Sequence, residues 1–218
     1  MASSPGSPGS DPDTETRRRR YTPRQPREVR SAQIIEAAIR LLARHGWRGM
    51  TMERVAAEAG VAKSVSYAIF DSQAGLQHAV TLRAQEVTRA RVTKALAAAR
   101  EAEGLVAAAR AGLMVYLEHV VREPDISRLV LLPIEGAPES VRETIRDGRE
   151  QVLQQLQAVI EARIGHQEAA ALDTELLAQL IRGNAELLAR LLLEQPDTFT
   201  PERLAHATAT YERFLPYA

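Results

Sequence analysis

Residues 51–76, TMERVAAEAGVAKSVSYAIFDSQAGL, decide the fold. Thr51 is an N-cap residue, followed by Met52, Val55 and Ala56 on the apolar side of a short helix. Gly60 ends that helix and supplies backbone freedom for a turn at residues 60–61. A third short helix is expected from about Ala62 to Ile69 or Phe70, after which Asp71 or Ser72 can cap a fourth. Upstream, Ile34, Ile35, Ala38, Leu41 and Leu42 recur at helical spacing between Arg27 and His45, and Gly46 is a natural stop. Three short helices with a glycine turn between the second and third describe a helix–turn–helix unit. Such a unit rests its third helix in the DNA major groove.

Working outward, the fourth helix is expected over about 72–102, where Leu76, Val80, Leu82, Val87 and Val92 keep the period until Gly104. Further helical blocks read as 105–122, 126–133, 138–164, 173–194 and 200–215, punctuated by Pro124, Pro133, Pro138, Gly165, Pro196 and Pro201. No segment alternates with period two, and aromatic residues are only 4% of the chain, so the fold class is all-α. Residues 1–26 begin MASSPGSPGSDPDTET and lead into Arg17, Arg18, Arg19 and Arg20, which reads as a disordered tail ending in a basic arm. The expected organisation is that tail, a helix–turn–helix domain over 27–72 and a helical body over 73–218.

Charge follows the same division. The chain is formally neutral, yet residues 1–70 hold 12 basic against 7 acidic side chains and residues 71–218 hold 16 against 21. A basic first third on a mildly acidic body suits a polyanion-binding module joined to something else.

The 51–76 stretch resembles the signature of the tetracycline-repressor (TetR) family of transcriptional regulators. The matching positions are the capping Thr51, Val55-Ala56, Ala59-Gly60-Val61, the polar run Lys63 to Ser66, Tyr67-x-x-Phe70 and Ser72. Ile35, Ala37, Ala38, Leu42 and His45-Gly46 match in the preceding helix, so the likeness covers about residues 30–78. Val55, Ala59, Val61, Ile69 and Phe70 should pack the three-helix core. The resemblance implies that Lys63, Ser64, Val65, Ser66 and Tyr67 face DNA. Lys63 and Tyr67 would meet phosphate, or for Lys63 a guanine edge; Ser64 and Ser66 would hydrogen-bond, and Val65 would pack on a thymine methyl. Thr51 would bring a helix N-terminus to phosphate.

Three positions depart from the family pattern. Ala62 stands where Ser or Thr commonly caps the recognition helix, Ala68 replaces a frequent polar or aromatic residue, and Gln73 replaces a phosphate-contacting Lys. Each lost phosphate contact flattens the salt dependence by about 0.9 in log–log slope. The Arg17–Arg20 arm can compensate by entering a minor groove or tracking phosphates, the alternative being a solvated basic tail.

For the body, the resemblance implies a small-molecule effector pocket and a homodimer interface made by the last two major helices, here 173–194 and 200–215. Leu176, Leu177, Leu180, Ile181, Leu187, Leu188, Leu191 and Leu192 are more apolar surface than one helix face buries against a single core. Tyr116, Glu118, His119, Arg128 and Glu135 lie in apolar helical surroundings and are the candidate effector contacts.

Other classes are excluded or disfavoured. With no cysteine, disulfides, thiolate metal sites and cysteine nucleophiles are ruled out. The five histidines are scattered without an H-E-x-x-H pattern, and neither a phosphate loop, a dinucleotide fingerprint nor a nucleophile elbow occurs. No metal, cofactor or catalytic residue is therefore expected. No apolar run approaches the ~18 residues of a membrane span, and the first thirty residues lack a signal h-region. The expectation is a cytoplasmic, effector-responsive regulator, most often a repressor, that binds a pseudo-palindromic double-stranded operator. The competing reading is a helical ligand-binding or scaffold protein that has lost DNA affinity, motivated by Ala62, Ala68 and Gln73.

Overall fold

The structure is a computed structural model describing residues 26–132, 136–204 and 207. The Arg17–Arg20 arm, Glu135 and most of the expected 200–215 helix lie outside the described residues. Among the described residues every regular element is helical: α1 (Arg27–His45), a 3-10 turn (Trp47–Gly49), α2 (Met52–Glu58), α3 (Lys63–Phe70), α4 (Gln73–Glu101), α5 (Leu105–Arg122), α6 (Pro124–Leu131), α7 (Glu139–Ala171) and α8 (Thr174–Glu194).

Local chemistry sets the boundaries of the first four helices. The Gly46 N–H closes α1 on the Leu42 carbonyl at 2.9 Å. Thr51 Oγ1 accepts from the Arg54 N–H at 3.3 Å, and Ser72 Oγ accepts from the Gly75 N–H at 3.1 Å, each satisfying a donor that the first turn of a helix leaves open. Gly60 sits at φ +66° in open space, so it is the backbone conformation and not room that calls for glycine. At Gly75 the reason is room: a Cβ there would lie 2.3 Å from the Phe70 carbonyl oxygen.

Two helix boundaries differ from expectation. α6 begins at Pro124, two residues early, because proline is pre-organised for a first turn where no N–H is needed. α7 runs through Gly165 to Ala171, where a stop at 164 was expected. An interior glycine costs only about 1 kcal/mol against alanine, which a helix packed on both α4 and α8 absorbs.

One continuous apolar core joins the helix–turn–helix head to the body. Ile34, Leu41, Trp47 and Val55 from the head share it with Leu76, Val80 and Ala84 of α4, Ile126 and Leu129 of α6, and Val141 of α7. A second cluster seats Leu117 and Val120 of α5 on Ala189, Leu192 and Leu193 of α8, and a third joins Val92 and Leu96 of α4 to Val159 of α7. α4 spans both regions: 29 residues at ~1.5 Å each reach about 43 Å. Among the described residues no helix is long and apolar enough to cross a membrane.

Candidate functional site

α3 presents a narrow outward face. Lys63, Ser64, Tyr67 and Ala68 are exposed, at the spacing that puts neighbours on one side of a helix, and Val65 is half-buried. Lys63 Nζ forms an ion pair with Glu53 Oε1 of α2 and stands 5.7 Å from the Tyr67 ring centroid. That contact raises the Lys63 ammonium pKa and lowers the Glu53 carboxyl pKa, through their mutual hydrogen bond first. Thr51, half-buried, caps α2 beside this face.

Ser66 corrects the sequence reading. It is fully buried, and its Oγ has no hydrogen-bond partner among the described residues, so it points away from any groove. In an eight-residue helix one face must close on α1 and α2, and position 66 falls in the middle of that face. Gln73 also has a defined job: its Nε2 donates to the Met50 carbonyl at 2.9 Å, tying the start of α4 to the loop before α2. Glu53 is the polar residue of this surface that the sequence reading passed over. The i, i+10 separation from Lys63 gives no local signal of their pairing.

Between α4, α5, α7 and α8 lies a cavity of about 870 Å³. Its α4 wall extends from Thr81 to Ala99, a run of about 27 Å at ~1.5 Å per residue, so the space is elongated. Apolar side chains such as Val92, Leu96, Leu129, Ile145 and Val159 dominate it, with Tyr116, Arg89, Gln155 and Asn184 among the polar groups. At the far end Arg163 donates to the carbonyls of Ala99 (2.7 Å), Arg100 (3.0 Å) and Ala102 (2.6 Å), capping the C-terminus of α4. Burial pushes the Tyr116 phenol up to about 12, against the opposing pull of the Arg91 guanidinium, so at neutral pH its hydroxyl is a donor.

Of the expected effector contacts, Tyr116 lines this cavity, and His119 and Arg128 do not. His119 Nδ1 is 2.7 Å from the Val115 carbonyl one turn back on α5. Arg128 donates to the Leu193 carbonyl at 3.3 Å and stands 3.6 Å from Asp125. Glu118 is exposed and pairs with Arg122. Trp47, which the sequence reading did not single out, sits in the core shared by head and body and also lines the cavity. Among the described residues no cluster of His, Asp or Glu could hold a metal ion.

On α8, Leu176, Leu180 and Leu187 are 53%, 61% and 54% exposed. With Gly183, where a Cβ would meet nothing within 4 Å, they form an uncovered stripe at i, i+4, i+7 and i+11.

Comparison with known proteins agrees with this architecture. The signature of the bacterial regulatory proteins, tetR family, matches residues 34–80. A Mycobacterium tuberculosis protein described as an uncharacterised HTH-type transcriptional regulator is 28% identical over 199 residues, covering 89% of this chain and 80% of its own length. The fatty acid degradation regulator FadR of Bacillus halodurans superposes with a TM-score of 0.67 at 20% identity, covering 86% of this chain and 94% of that one. FadR of Bacillus subtilis, solved in complex with stearoyl-CoA, gives 0.63 at 15% identity, covering 81% and 94%. The two solved structures share the fold across head and body, and the family signature falls on the head. Over residues 34–80 the chain carries the signature of the tetR family of bacterial regulatory proteins, on a fold that the two solved regulators share.

Proposed function

We propose that the chain is a homodimeric transcriptional regulator that binds operator DNA through α3 and lets go when an elongated, largely apolar effector fills the cavity of the body. The observation that carries this reading is the outward face of Lys63, Ser64 and Tyr67, mounted on a head that shares its core with the cavity-bearing body. Lys63 and Tyr67 would contact phosphate or a base edge, Ser64 would hydrogen-bond, Val65 would offer an apolar edge, and Thr51 would present the α2 N-terminus. The Leu176–Leu180–Leu187 stripe is the surface on which a second copy would pack, as isologous two-fold symmetry requires. Two recognition helices about 34 Å apart would then read a pseudo-palindrome. The cavity's length and apolar walls favour a long-chain acyl compound over a compact aromatic one, in line with the stearoyl-CoA bound by the Bacillus subtilis neighbour.

The test is fluorescence polarisation of the full chain on DNA from its own upstream region, at several salt concentrations, with and without stearoyl-CoA. Saturable, sequence-dependent binding that stearoyl-CoA weakens is the expected result. Binding no tighter than to scrambled DNA would remove the regulator reading. Deleting residues 1–26 in the same assay should weaken binding and reduce the salt slope if the Arg17–Arg20 arm contacts phosphates.

A further inference from the structure

Trp47 is 3% exposed, and its indole Nε1 finds no acceptor among the described residues. Trp47 lines the cavity, while its N–H is closed off from it; a buried N–H normally has a partner, so the orphan asks what completes it when the turn that carries it moves. Neighbouring donors on the α4 wall are already committed. Thr81 and Thr88 each donate to a carbonyl one turn back at 2.8 Å, and Gln85 Nε2 donates to the Thr144 carbonyl at 3.1 Å.

We propose that Trp47 is the effector's polar anchor at the head end of the cavity, its indole N–H donating to an uncharged oxygen of the ligand once the turn between α1 and α2 shifts to uncover it. This rests on the cavity being the effector site. A neutral acceptor, such as an ester or thioester carbonyl or a hydroxyl, is favoured over a carboxylate. The core around Trp47 is apolar, and a buried carboxylate without a paired cation is disfavoured. Trp47 belongs to the turn between α1 and α2, so a ligand held there touches the DNA-binding head itself. The Met50 N–H donates to the Trp47 carbonyl at 3.2 Å, and the Met50 carbonyl in turn accepts from Gln73. Displacing Trp47 therefore acts on both the entry to α2 and the start of α4. Differential affinity of the effector for two placements of that turn is what would shift the DNA-binding equilibrium.

Trp47 is the chain's single tryptophan, which makes the test direct. The probes are stearoyl-CoA and S-octadecyl-CoA, the thioether that lacks the carbonyl. In the wild-type chain, calorimetry should show the thioester binding roughly 2- to 10-fold tighter than the thioether, the worth of one net hydrogen bond. The single indole N–H resonance of the 15N-labelled protein should move downfield with the thioester only, a readout that needs no variant. In Trp47→Phe, which keeps an aromatic body, the two probes should bind alike. The stearoyl-CoA concentration that releases DNA should rise by the same factor. If both probes bind the wild type equally and the indole resonance stays put, Trp47 is not the anchor, and the effector reading survives. If neither probe binds, the acyl reading of the cavity falls, and the anchor falls with it.

Discussion

Replacing Ser66 with alanine should make this protein more stable without touching its DNA affinity. The hydroxyl is fully buried in the face that α3 turns to α1 and α2, and it has no partner among the described residues. A buried hydroxyl left unsatisfied costs about 1–3 kcal/mol, and truncation to alanine removes that cost together with a single small atom. Alanine also has the higher helix propensity, by ~0.5 kcal/mol. The expected gain is therefore about 2 kcal/mol, which for a chain of this length raises Tm by roughly 4–8 °C. The measurement is thermal unfolding by circular dichroism at one fixed protein concentration, since the stability of the proposed dimer would depend on concentration. Ser64→Ala is the matched control: it is exposed one turn-face away, so its stability should stay within ~0.5 kcal/mol while operator binding weakens. A lowered Tm for Ser66→Ala, or a loss of DNA affinity matching that of Ser64→Ala, would refute the placement of α3 relative to the groove.

Three further outcomes are expected. Glu53→Gln releases Lys63 from its ion pair and removes a negative charge from the DNA-facing surface, so operator binding should tighten and its log–log salt slope steepen by up to about 0.9; unchanged binding in polarisation titrations would take Lys63 off the DNA. Leu180→Glu places a charge in the middle of the exposed stripe of α8, and size-exclusion chromatography with light scattering should show a monomer that no longer holds a full palindrome, whereas a surviving dimer would assign the interface elsewhere. Tyr116 holds its proton up to about 12 in the folded state but near 10 when unfolded, so its contribution to stability is complete below pH 10 and is lost as pH rises towards 12. That loss is on the order of 3 kcal/mol, and Tyr116→Phe should flatten it in denaturant titrations across that window.

What the sequence made legible, and what it hid, divides by the range of the forces involved. Thr51, Gly60 and Ser72 act on backbone groups within four residues of themselves, so the ends of α2 and α3 and the start of α4 could be read without a partner in view. Ser66 could not, because a polar residue in a short polar run reads as outward, and only the crossing of α1 and α2 over α3 decides which side is covered. The cavity lies beyond reach for a stronger reason. Its walls come from four long helices, from α6 and from a turn of the head, so no spacing in the chain marks them together. His119 and Arg128 illustrate the error this invites: both are polar residues in apolar helices, and both have their polar atoms engaged by backbone carbonyls, at 2.7 and 3.3 Å. Trp47 illustrates the opposite case. An aromatic residue after α1 has no spacing that ties it to the body, and only the fold puts it in one cluster with residues of α4, α6 and α7. Because that core is shared, a ligand in the body and a base pair at α3 press on one packed unit. A close-packed interior passes a displacement on instead of dissipating it. Coupling between the two sites then needs no separate lever, only an effector whose fit differs between two positions of the Trp47 turn.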